Sequence, residues 1–289
     1  MSTCLVVDLM SLLYRSYYGT PRLTTKDGFP TNCIYTFTRI LLHLDEKFKN
    51  PWFFVASDAG RETFRMEIYQ EYKANRPEIE ENLRVQLPLC FEILSSVHLS
   101  PVLKEGYEAD DLIADAVEKF YDAFDHTIIV SQDKDLCQLV SAEKISFYDP
   151  FKMKLFDERK IVEHFGVTPR QLPIVLALAG DSSDNVKGAR GFGKKNSVKI
   201  ASLFKDVEEF KSALLEGSDP RLDKVYPHKD IILKNIEIVR LIPLGLLGDD
   251  ARALCSKLKI SDQFFSIVKK LEFNSILKKY GLFEANNFS

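Results

Sequence analysis

TCLVVD, residues 3–8, is a run of apolar and β-branched residues that ends in an acid. Two further runs, WFFVASD at residues 52–58 and TIIVSQD at residues 127–133, have the same composition and the same acidic end. Such short runs are typical of buried strands. Long segments with helical spacing separate them, so the alternation predicts an α/β fold with a mostly parallel central sheet flanked by helices.

The acids at the ends of these runs are the first functional signal. Asp8, Asp58 and Asp133 close the three predicted strands, and Asp135 follows two residues after Asp133. In an open parallel sheet the carboxyl ends of the strands share one edge, and ligands bind in the crevice there. We therefore expect these four carboxylates to face a common crevice.

A second acidic cluster lies in EGYEADDLIAD, residues 105–115, which contains Glu108, Asp110 and Asp111 and no basic residue. The apolar residues that follow have helical spacing, which makes residues 108–111 the first turn of a helix. The helix dipole favours acids at this position, so capping alone is an alternative for each of them. Their coincidence with the acids at the strand ends instead favours a bound cation, because crowded carboxylates oppose one another's charge.

Two further motifs extend the acidic set. SQDKDLCQL pairs Asp133 with Asp135, and LAGDSSDN pairs Asp181 with Asp184. Carboxylates without histidine or cysteine suit hard cations, and Mg²⁺ in particular uses a few carboxylates together with water and substrate phosphates. Two such ions about 4 Å apart can activate a water and stabilise the leaving oxygen of a phosphodiester. The pattern predicts phosphodiester hydrolysis with two or more Mg²⁺ ions, for which Mn²⁺ is expected to substitute.

A basic, glycine-rich segment follows at residues 185–205, although the net charge of the chain is only −3. Its basic residues, which no acid interrupts, are Lys187, Arg190, Lys194, Lys195, Lys199 and Lys205. Its glycines, which precede a helical pattern, are Gly188, Gly191 and Gly193. The spacing excludes a P-loop, and the lack of a preceding strand disfavours a dinucleotide fold. Binding of a phosphate backbone without sequence readout is the preferred interpretation, and an ordinary surface turn is the alternative.

The segment GRETFRMEIYQEYKANR, residues 60–76, has helical spacing. One row of such a helix carries Phe64, Ile68 and Tyr72, and another carries Arg61, Arg65, Tyr69, Lys73 and Arg76. The second row is suited to phosphates and unpaired bases. A solvated helix with salt bridges is an equal alternative, because glutamates are interspersed.

Composition bounds the class of protein. A chain of 289 residues with 45% hydrophobic and 28% charged residues predicts one large α/β domain with a smaller partner domain. The cysteines are odd in number, dispersed and without a C-x-x-C pair, which predicts neither a disulfide framework nor a zinc site; they are Cys4, Cys33, Cys90, Cys137 and Cys255. No leader or long apolar stretch is evident, so we expect a cytoplasmic protein with no membrane partner.

These motifs, in this order, resemble the 5′-nuclease domain of bacterial DNA polymerase I, within the flap endonuclease superfamily. The resemblance rests on VVDLMSLLYRSYY, DAGRETFRMEIYQEYKANRP, GYEADD, SQDKDLCQL, AGDSSDNVKGARGFGKK and LEFNSILKKYGL, and covers nearly the whole chain. It implies a PIN-like α/β domain at residues 1–172 and a mainly helical DNA-binding domain at residues 173–289. It also implies a helical arch at about residues 61–96.

The resemblance assigns roles to the acids. A reaction-centre metal would be held by Asp8, Asp58, Glu108, Asp110 and Asp111, and a second metal by Asp133, Asp135, Asp181 and Asp184. Asp110 and Asp111 would chiefly hold the ion that activates water. Leu9 replaces a glycine usual in the family, Lys187 a proline and Cys137 a tyrosine, but none of these departures removes a carboxylate.

The resemblance also assigns the basic and glycine-rich residues. Lys73 and Arg76 would act on the scissile phosphate, with Arg61, Arg65 and Tyr72 as further DNA contacts. GARGFG would be the turn of a helix-three-turn-helix motif that grips duplex DNA and binds K⁺ through carbonyls at residues 186–193. The DNA contacts expected there are Lys187, Gly188, Arg190, Gly191, Gly193, Lys194 and Lys195.

The predicted function is a metal-dependent 5′-3′ exonuclease or flap endonuclease of DNA replication and repair, removing 5′ flaps and 5′ nucleotides. We expect a monomer at the nucleoid, linked functionally to DNA polymerase and ligase, with DNA recognised mostly without regard to sequence. The alternatives are a non-catalytic module that binds branched DNA and a related metal-dependent ribonuclease.

Overall fold

The computed structural model describes residues 2–280 of the chain. The last nine residues of the predicted second domain, which include the end of LEFNSILKKYGL, lie outside the described residues. The strands are β1 Thr3–Asp8, β2 Trp52–Ala56, β3 Pro101–Val102, β4 His126–Val130, β5 Ile145–Asp149, β6 Lys154–Phe156, β7 Gly180–Asp181, β8 Val186–Lys187 and β9 Ser256–Lys257. The helices are α1 Leu9–Tyr18, α2 Asn32–Lys47, α3 Phe64–Ile68, α4 Glu81–Arg84, α5 Leu87–Ser96, α6 Ala109–Lys119, α7 Glu158–Phe165, α8 Leu172–Ala179, α9 Lys194–Ala201, α10 Val207–Glu216, α11 Lys229–Val239, α12 Asp262–Lys270 and α13 Asn274–Lys279.

The central sheet has the order β3-β2-β1-β4-β5-β6. Strands β1 to β5 pair in parallel, while β6 is antiparallel to β5 and β9 is antiparallel to β2. The register places Asp8 beside Ala56 and Val7 beside Val130. The three strands expected from sequence are therefore neighbours with their carboxyl ends on one edge, which confirms the α/β fold with a mostly parallel sheet.

Both faces of the sheet are covered, which explains why the strands read as unbroken apolar runs. Cys4 and Val6 of β1 pack in one hydrophobic cluster with residues of α6, α8 and α11. Leu5 and Val7 pack in the opposite cluster with residues of α1, α2, α5 and α12. Alternate side chains of β1 thus pack against helices on opposite faces of the sheet, and these helices flank Asp8 at the end of the strand.

Residues 173–280 are mainly helical. Helix α8 packs against α9 and α11. Beyond α11 the chain returns to the sheet, where β9 pairs with β2 and α12 packs on α5. The first hydrophobic cluster continues from Cys4 to Phe210 and Cys255 and so includes residues on both sides of position 172, and the division into two domains there stays a prediction.

The segment at residues 61–76 differs from its sequence prediction. Helix α3 ends at Ile68, Tyr69 is extended with φ −146°, and the chain then turns with Lys73 at φ 54°. The two helical rows drawn through residues 61–76 are therefore wrong beyond α3. Contacts of Tyr72 and Lys73 with distant acids, described below, outweigh the local helical propensity. The remainder of the predicted arch consists of two short helices, α4 and α5.

All five cysteines are buried and free, in agreement with the absence of a disulfide framework. In residues 2–280, no helix has both the length and the apolar character needed to cross a membrane.

Candidate metal centre and its basic neighbours

Asp8 lies at the junction between β1 and α1, where it serves as the N-cap of the helix. Its Oδ1 accepts a hydrogen bond of 3.1 Å from the Ser11 backbone N–H, and its Oδ2 accepts one of 2.7 Å from the Ser131 hydroxyl. Ser131 directly follows β4, so the adjacent ends of two strands fix this carboxylate. Burial raises the pKa of Asp8 to about 7, although the hydrogen bonds from Ser131 and Ser11 act to lower it. The charges of Asp133 and Asp58 raise this pKa further.

Helix α6 brings a second group of acids to the same edge. Its first residue, Ala109, donates its backbone N–H to Asp58 Oδ1 at 2.8 Å, so the acid beyond β2 meets the positive end of the helix dipole. Asp110 follows in the first turn. Burial and the neighbouring charges of Asp133 and Asp8 raise the pKa of Asp110 well above its usual range.

Asp111 and Arg65 do not have the roles expected from sequence. Arg65 is 2% exposed, and its guanidinium makes two parallel bonds of 2.8 and 2.7 Å to the Asp111 carboxylate. Asp111 also accepts the Glu108 backbone N–H at 3.0 Å, which closes the start of α6. Both Asp111 oxygens are thus engaged by protein groups, which favours capping for this residue, and its assignment as a metal ligand stays a prediction. Arg65, which also donates to the Ile238 carbonyl, is an internal support and not a DNA contact.

Tyr72 is likewise internal and is not a DNA contact, since it is 4% exposed. Its hydroxyl lies 3.0 Å from carboxylate oxygens of both Glu108 and Asp184. Burial, with the charges of Glu108 and Asp184, raises the pKa of Tyr72 far above its usual range, so the hydroxyl is a permanent donor. Tyr72 therefore connects an acid of the first predicted metal set with an acid of the second.

The two basic residues expected at the scissile phosphate do lie in the crevice. Lys73 Nζ bonds to Glu108 and lies 3.7 Å from Asp184, while Arg76 Nη2 lies 2.7 Å from Asp184 Oδ1. Burial opposes the charge on Lys73, but Glu108 and Asp184 outweigh it and raise its pKa. Both side chains are therefore cationic and aimed at the acids.

The acids line two adjoining cavities. The larger, of about 560 Å³, is lined by Asp8, Asp58, Glu108, Asp110 and Asp133 as well as by Lys73 and Arg76. A small neighbouring cavity shares Glu108 and Asp110 and adds Asp135, Asp181 and Asp184. Burial and the charges of Asp133 and Asp181 raise the pKa of Asp135. Eight of the nine predicted acids thus face connected space, and Asp111 alone is turned away.

The character of these acids fits a hard cation. Within residues 2–280, no three acidic, cysteine or histidine side chains already form a closed coordinating group. Carboxylates with raised pKa values nevertheless lack sufficient positive charge around them, and a divalent ion would supply it. The residues fit Mg²⁺, provided that ion binding draws the carboxylates together.

The basic segment forms an exposed surface beside this edge. Helix α8, the small β7–β8 hairpin and helix α9 succeed one another, and Lys187, Arg190, Lys194 and Lys195 are exposed. Gly191 has φ 89°, a conformation that glycine adopts freely. At Gly188 a Cβ would lie 2.1 Å from the Ala179 carbonyl oxygen, so packing requires glycine there, and its DNA contact stays a prediction. The backbone of Gly188 therefore packs closely against the end of α8.

Sequence reasoning missed Ser131 and Ser11, which orient Asp8. The Ser11 hydroxyl lies 3.1 Å from the Ser131 hydroxyl and accepts the Gln132 backbone N–H. The available signal was small: a serine after an apolar strand and two residues before an acid in VSQD.

A family model described as 5′-3′ exonuclease, N-terminal resolvase-like domain, matches residues 3–166. This chain belongs to the 5′-3′ exonuclease family. A 5′-3′ exonuclease of Aquifex aeolicus strain VF5 is 40% identical to this chain over 208 residues, which cover 72% of this chain and 72% of the relative. The family resemblance and the nuclease class predicted from the motifs are thereby confirmed.

DNA polymerases I also match this exonuclease-family chain. Those of Caldicellulosiruptor bescii and Bacillus subtilis are each 33% identical, over 292 and 291 residues. These matches cover 98% and 96% of this chain but only 34% and 32% of the polymerases, so the chain spans about a third of their length.

Solved structures share the fold. T5 5′-exonuclease with bound divalent metal ions (zinc) has a TM-score of 0.70 and 23% identity, covering 94% of this chain and 98% of its own. The catalytic core of Rad2 in complex with DNA substrate has a TM-score of 0.56 and 15% identity, covering 96% and 91%. At these identities the similarity establishes the flap-nuclease fold of the exonuclease-family chain.

Proposed function

We propose that this chain is a metal-dependent, structure-specific 5′-nuclease that hydrolyses DNA phosphodiesters and removes 5′ flaps and 5′-terminal nucleotides. One observation carries the proposal: acids from three parallel strand ends, the start of α6 and the β7–β8 hairpin converge on one crevice that Lys73 and Arg76 also enter. The T5 and Rad2 relatives, described with metal ions and with DNA substrate, support the choice of cofactor and substrate.

The acids divide between two Mg²⁺ ions in this proposal. Asp8, Asp58, Glu108 and Asp110 would hold one, and Asp133, Asp135, Asp181 and Asp184 the other. When bound, the ions supply an activated water and neutralise the leaving oxygen. Asp111 contributes by closing the start of α6, so that Glu108 and Asp110 are presented from a rigid helix end.

Lys73 and Arg76 act on the phosphate. In the described structure their charges compensate Glu108 and Asp184. When divalent ions take over that compensation, the two cations become available to the scissile phosphate and stabilise the charge that develops on it. Arg61, which is exposed, is proposed as a further DNA contact.

The basic surface is proposed to grip duplex DNA as a helix-three-turn-helix element formed by α8, α9 and the turns between them. Lys187, Arg190, Lys194 and Lys195 would contact phosphates, and carbonyls at residues 186–193 would bind K⁺. We further propose a monomer that works at the nucleoid in the cytoplasm. It would process Okazaki fragments and primers alongside a DNA polymerase and a ligase, and the polymerase I relatives support the first of these links.

Cleavage of two DNA substrates tests the proposal. A 5′-flap duplex and a nicked duplex, labelled at the 5′ end, are incubated with Mg²⁺ or EDTA, with Asp110→Asn as the control variant. The proposal predicts Mg²⁺-dependent cleavage near the single-strand junction that the variant lacks. Tight DNA binding without cleavage in Mg²⁺ or Mn²⁺ would contradict it and favour a non-catalytic binding module.

A further inference from the structure

The turn at residues 69–76 is fastened to the loop at residues 182–185, which joins β7 to β8. The Asn75 amide donates to the Ser182 carbonyl at 2.9 Å, and in return the Asn185 amide donates to the Glu71 carbonyl at 2.7 Å. Between them the Lys73 backbone N–H donates to the Asp184 carbonyl at 3.0 Å. Each segment thus holds the other by a side-chain amide, with a backbone bond in the middle.

The junction determines where two cationic side chains point. Lys73 lies between the fastened residues Glu71 and Asn75, and Arg76 directly follows Asn75. From this turn Lys73 and Arg76 reach Glu108 and Asp184. Asp184 belongs to the opposite loop, so its carbonyl binds the turn while its carboxylate meets the cations. Any movement of the turn relative to the loop would displace both cations from the crevice.

Backbone conformation shows that the junction imposes this arrangement. Lys73 has φ 54° and Asn185 has φ 58°. Asparagine tolerates the left-handed region, whereas lysine adopts it at a cost. Lys73 is held there by the bond from its own N–H to the Asp184 carbonyl, so contacts from outside the turn fix the direction of its side chain.

We propose that Asn75 and Asn185 are positioning residues that fasten the 69–76 turn to the 182–185 loop and thereby hold Lys73 and Arg76 over the acidic crevice. The inference rests on the proposed nuclease function. It assigns the positioning of the two cations to two uncharged residues outside the acidic set. Neither amide touches a carboxylate, so loss of either bond changes the geometry of the cations without removing any acid from the crevice.

The test uses Asn75→Ala and Asn185→Gly, because glycine accepts the φ of residue 185 without strain. Asn50→Gly is the matched control, since Asn50 is an exposed asparagine at φ 59° beside the amino end of β2. Single-turnover cleavage of the flap duplex in saturating Mg²⁺ is expected to slow roughly fivefold for each single variant and about 25-fold for the double variant. Each substitution removes one ordinary hydrogen bond, and the loss of one such bond corresponds to about fivefold in rate. The control should match the wild type, and the affinity for flap DNA in EDTA should change less than about twofold.

A second arm separates positioning from general stabilisation. The asparagine substitutions are repeated in a Lys73→Ala, Arg76→Ala background, where positioned cations are absent. The proposal predicts that the residual cleavage rate is then insensitive to Asn75→Ala and Asn185→Gly. An equal fold-loss in both backgrounds, or wild-type cleavage by the double asparagine variant, would overturn it. An inactive wild-type protein would instead refute the nuclease function itself.

Discussion

Replacing Ser131 with alanine tests whether the hydroxyl behind Asp8 prepares that carboxylate for a metal ion. The hydroxyl is fully buried and donates a 2.7 Å bond to Asp8 Oδ2, while the Ser11 N–H holds the other oxygen. A hydrogen bond to a charged group contributes about 1.5–3 kcal/mol, which corresponds to roughly 10- to 150-fold in an equilibrium constant. Outer-shell partners of metal ligands typically change metal affinity by about 10- to 100-fold.

We therefore expect Ser131→Ala to weaken Mn²⁺ binding by about tenfold or more, measured by calorimetric titration of the DNA-free protein at pH 7.5. Ser131→Thr, which keeps the hydroxyl, is the conservative variant and should recover most of the affinity. The requirement for Mg²⁺ in flap cleavage should rise in parallel. Equal Mn²⁺ affinity in Ser131→Ala and the wild type would show that the Ser131 hydrogen bond does not prepare Asp8 for a metal ion.

Three further outcomes follow from the same structure. The raised pKa of Asp8, about 7, means that its contribution to stability is present below the unfolded-state value near 3.8 and is lost as pH rises through about 7. Thermal unfolding without metal should therefore show Asp8→Asn more stable than the wild type at pH 8 by several degrees, with the difference shrinking towards pH 4; a constant difference would contradict this. Asp111→Asn should lower the unfolding free energy by about 1–3 kcal/mol, because the buried Arg65 guanidinium loses its bidentate partner. In calorimetry this variant should bind the same number of Mn²⁺ ions as the wild type, whereas Asp110→Asn should bind one fewer. Loss of an ion from Asp111→Asn would show that Asp111 is a metal ligand. Replacing Lys187, Lys194 and Lys195 together by alanine should weaken duplex binding and flatten its dependence on salt by about one unit of slope for each lost phosphate contact, and an unchanged slope would remove the assignment.

The sequence was most informative where residues act through the strand and helix ends that carry them. Asp8, Asp58 and Asp133 could be placed on one edge because parallel strands leave their carboxyl ends together, and the register of β1 with β2 and β4 confirms it. The start of α6, where Glu108 is the N-cap, was equally predictable, since the change from acids to apolar residues with helical spacing is local.

The surroundings of Arg65, Tyr72 and Asp111 were not foreseen because long-range partners determine them. Nothing local shows that Arg65 meets Asp111, 46 positions along the chain, or that Tyr72 reaches Asp184, 112 positions away. Charge led to the expectation of solvent and DNA for Arg65, whereas a buried guanidinium is stable only when bidentate bonds of this kind compensate it. The short strands β3 and β9 were missed for a related reason, since two residues carry no periodicity and pair only because β2 offers a free edge.

Metal binding by the acidic crevice is tested most directly by the anomalous difference map of a crystal of this chain soaked in Mn²⁺. We expect Mn²⁺ in the crevice, with Asp8 and Asp110 among its ligands, Lys73 displaced from Glu108, and Asp111 still bound to Arg65. Mn²⁺ bound away from these acids, or no bound ion at a concentration that supports cleavage, would contradict it.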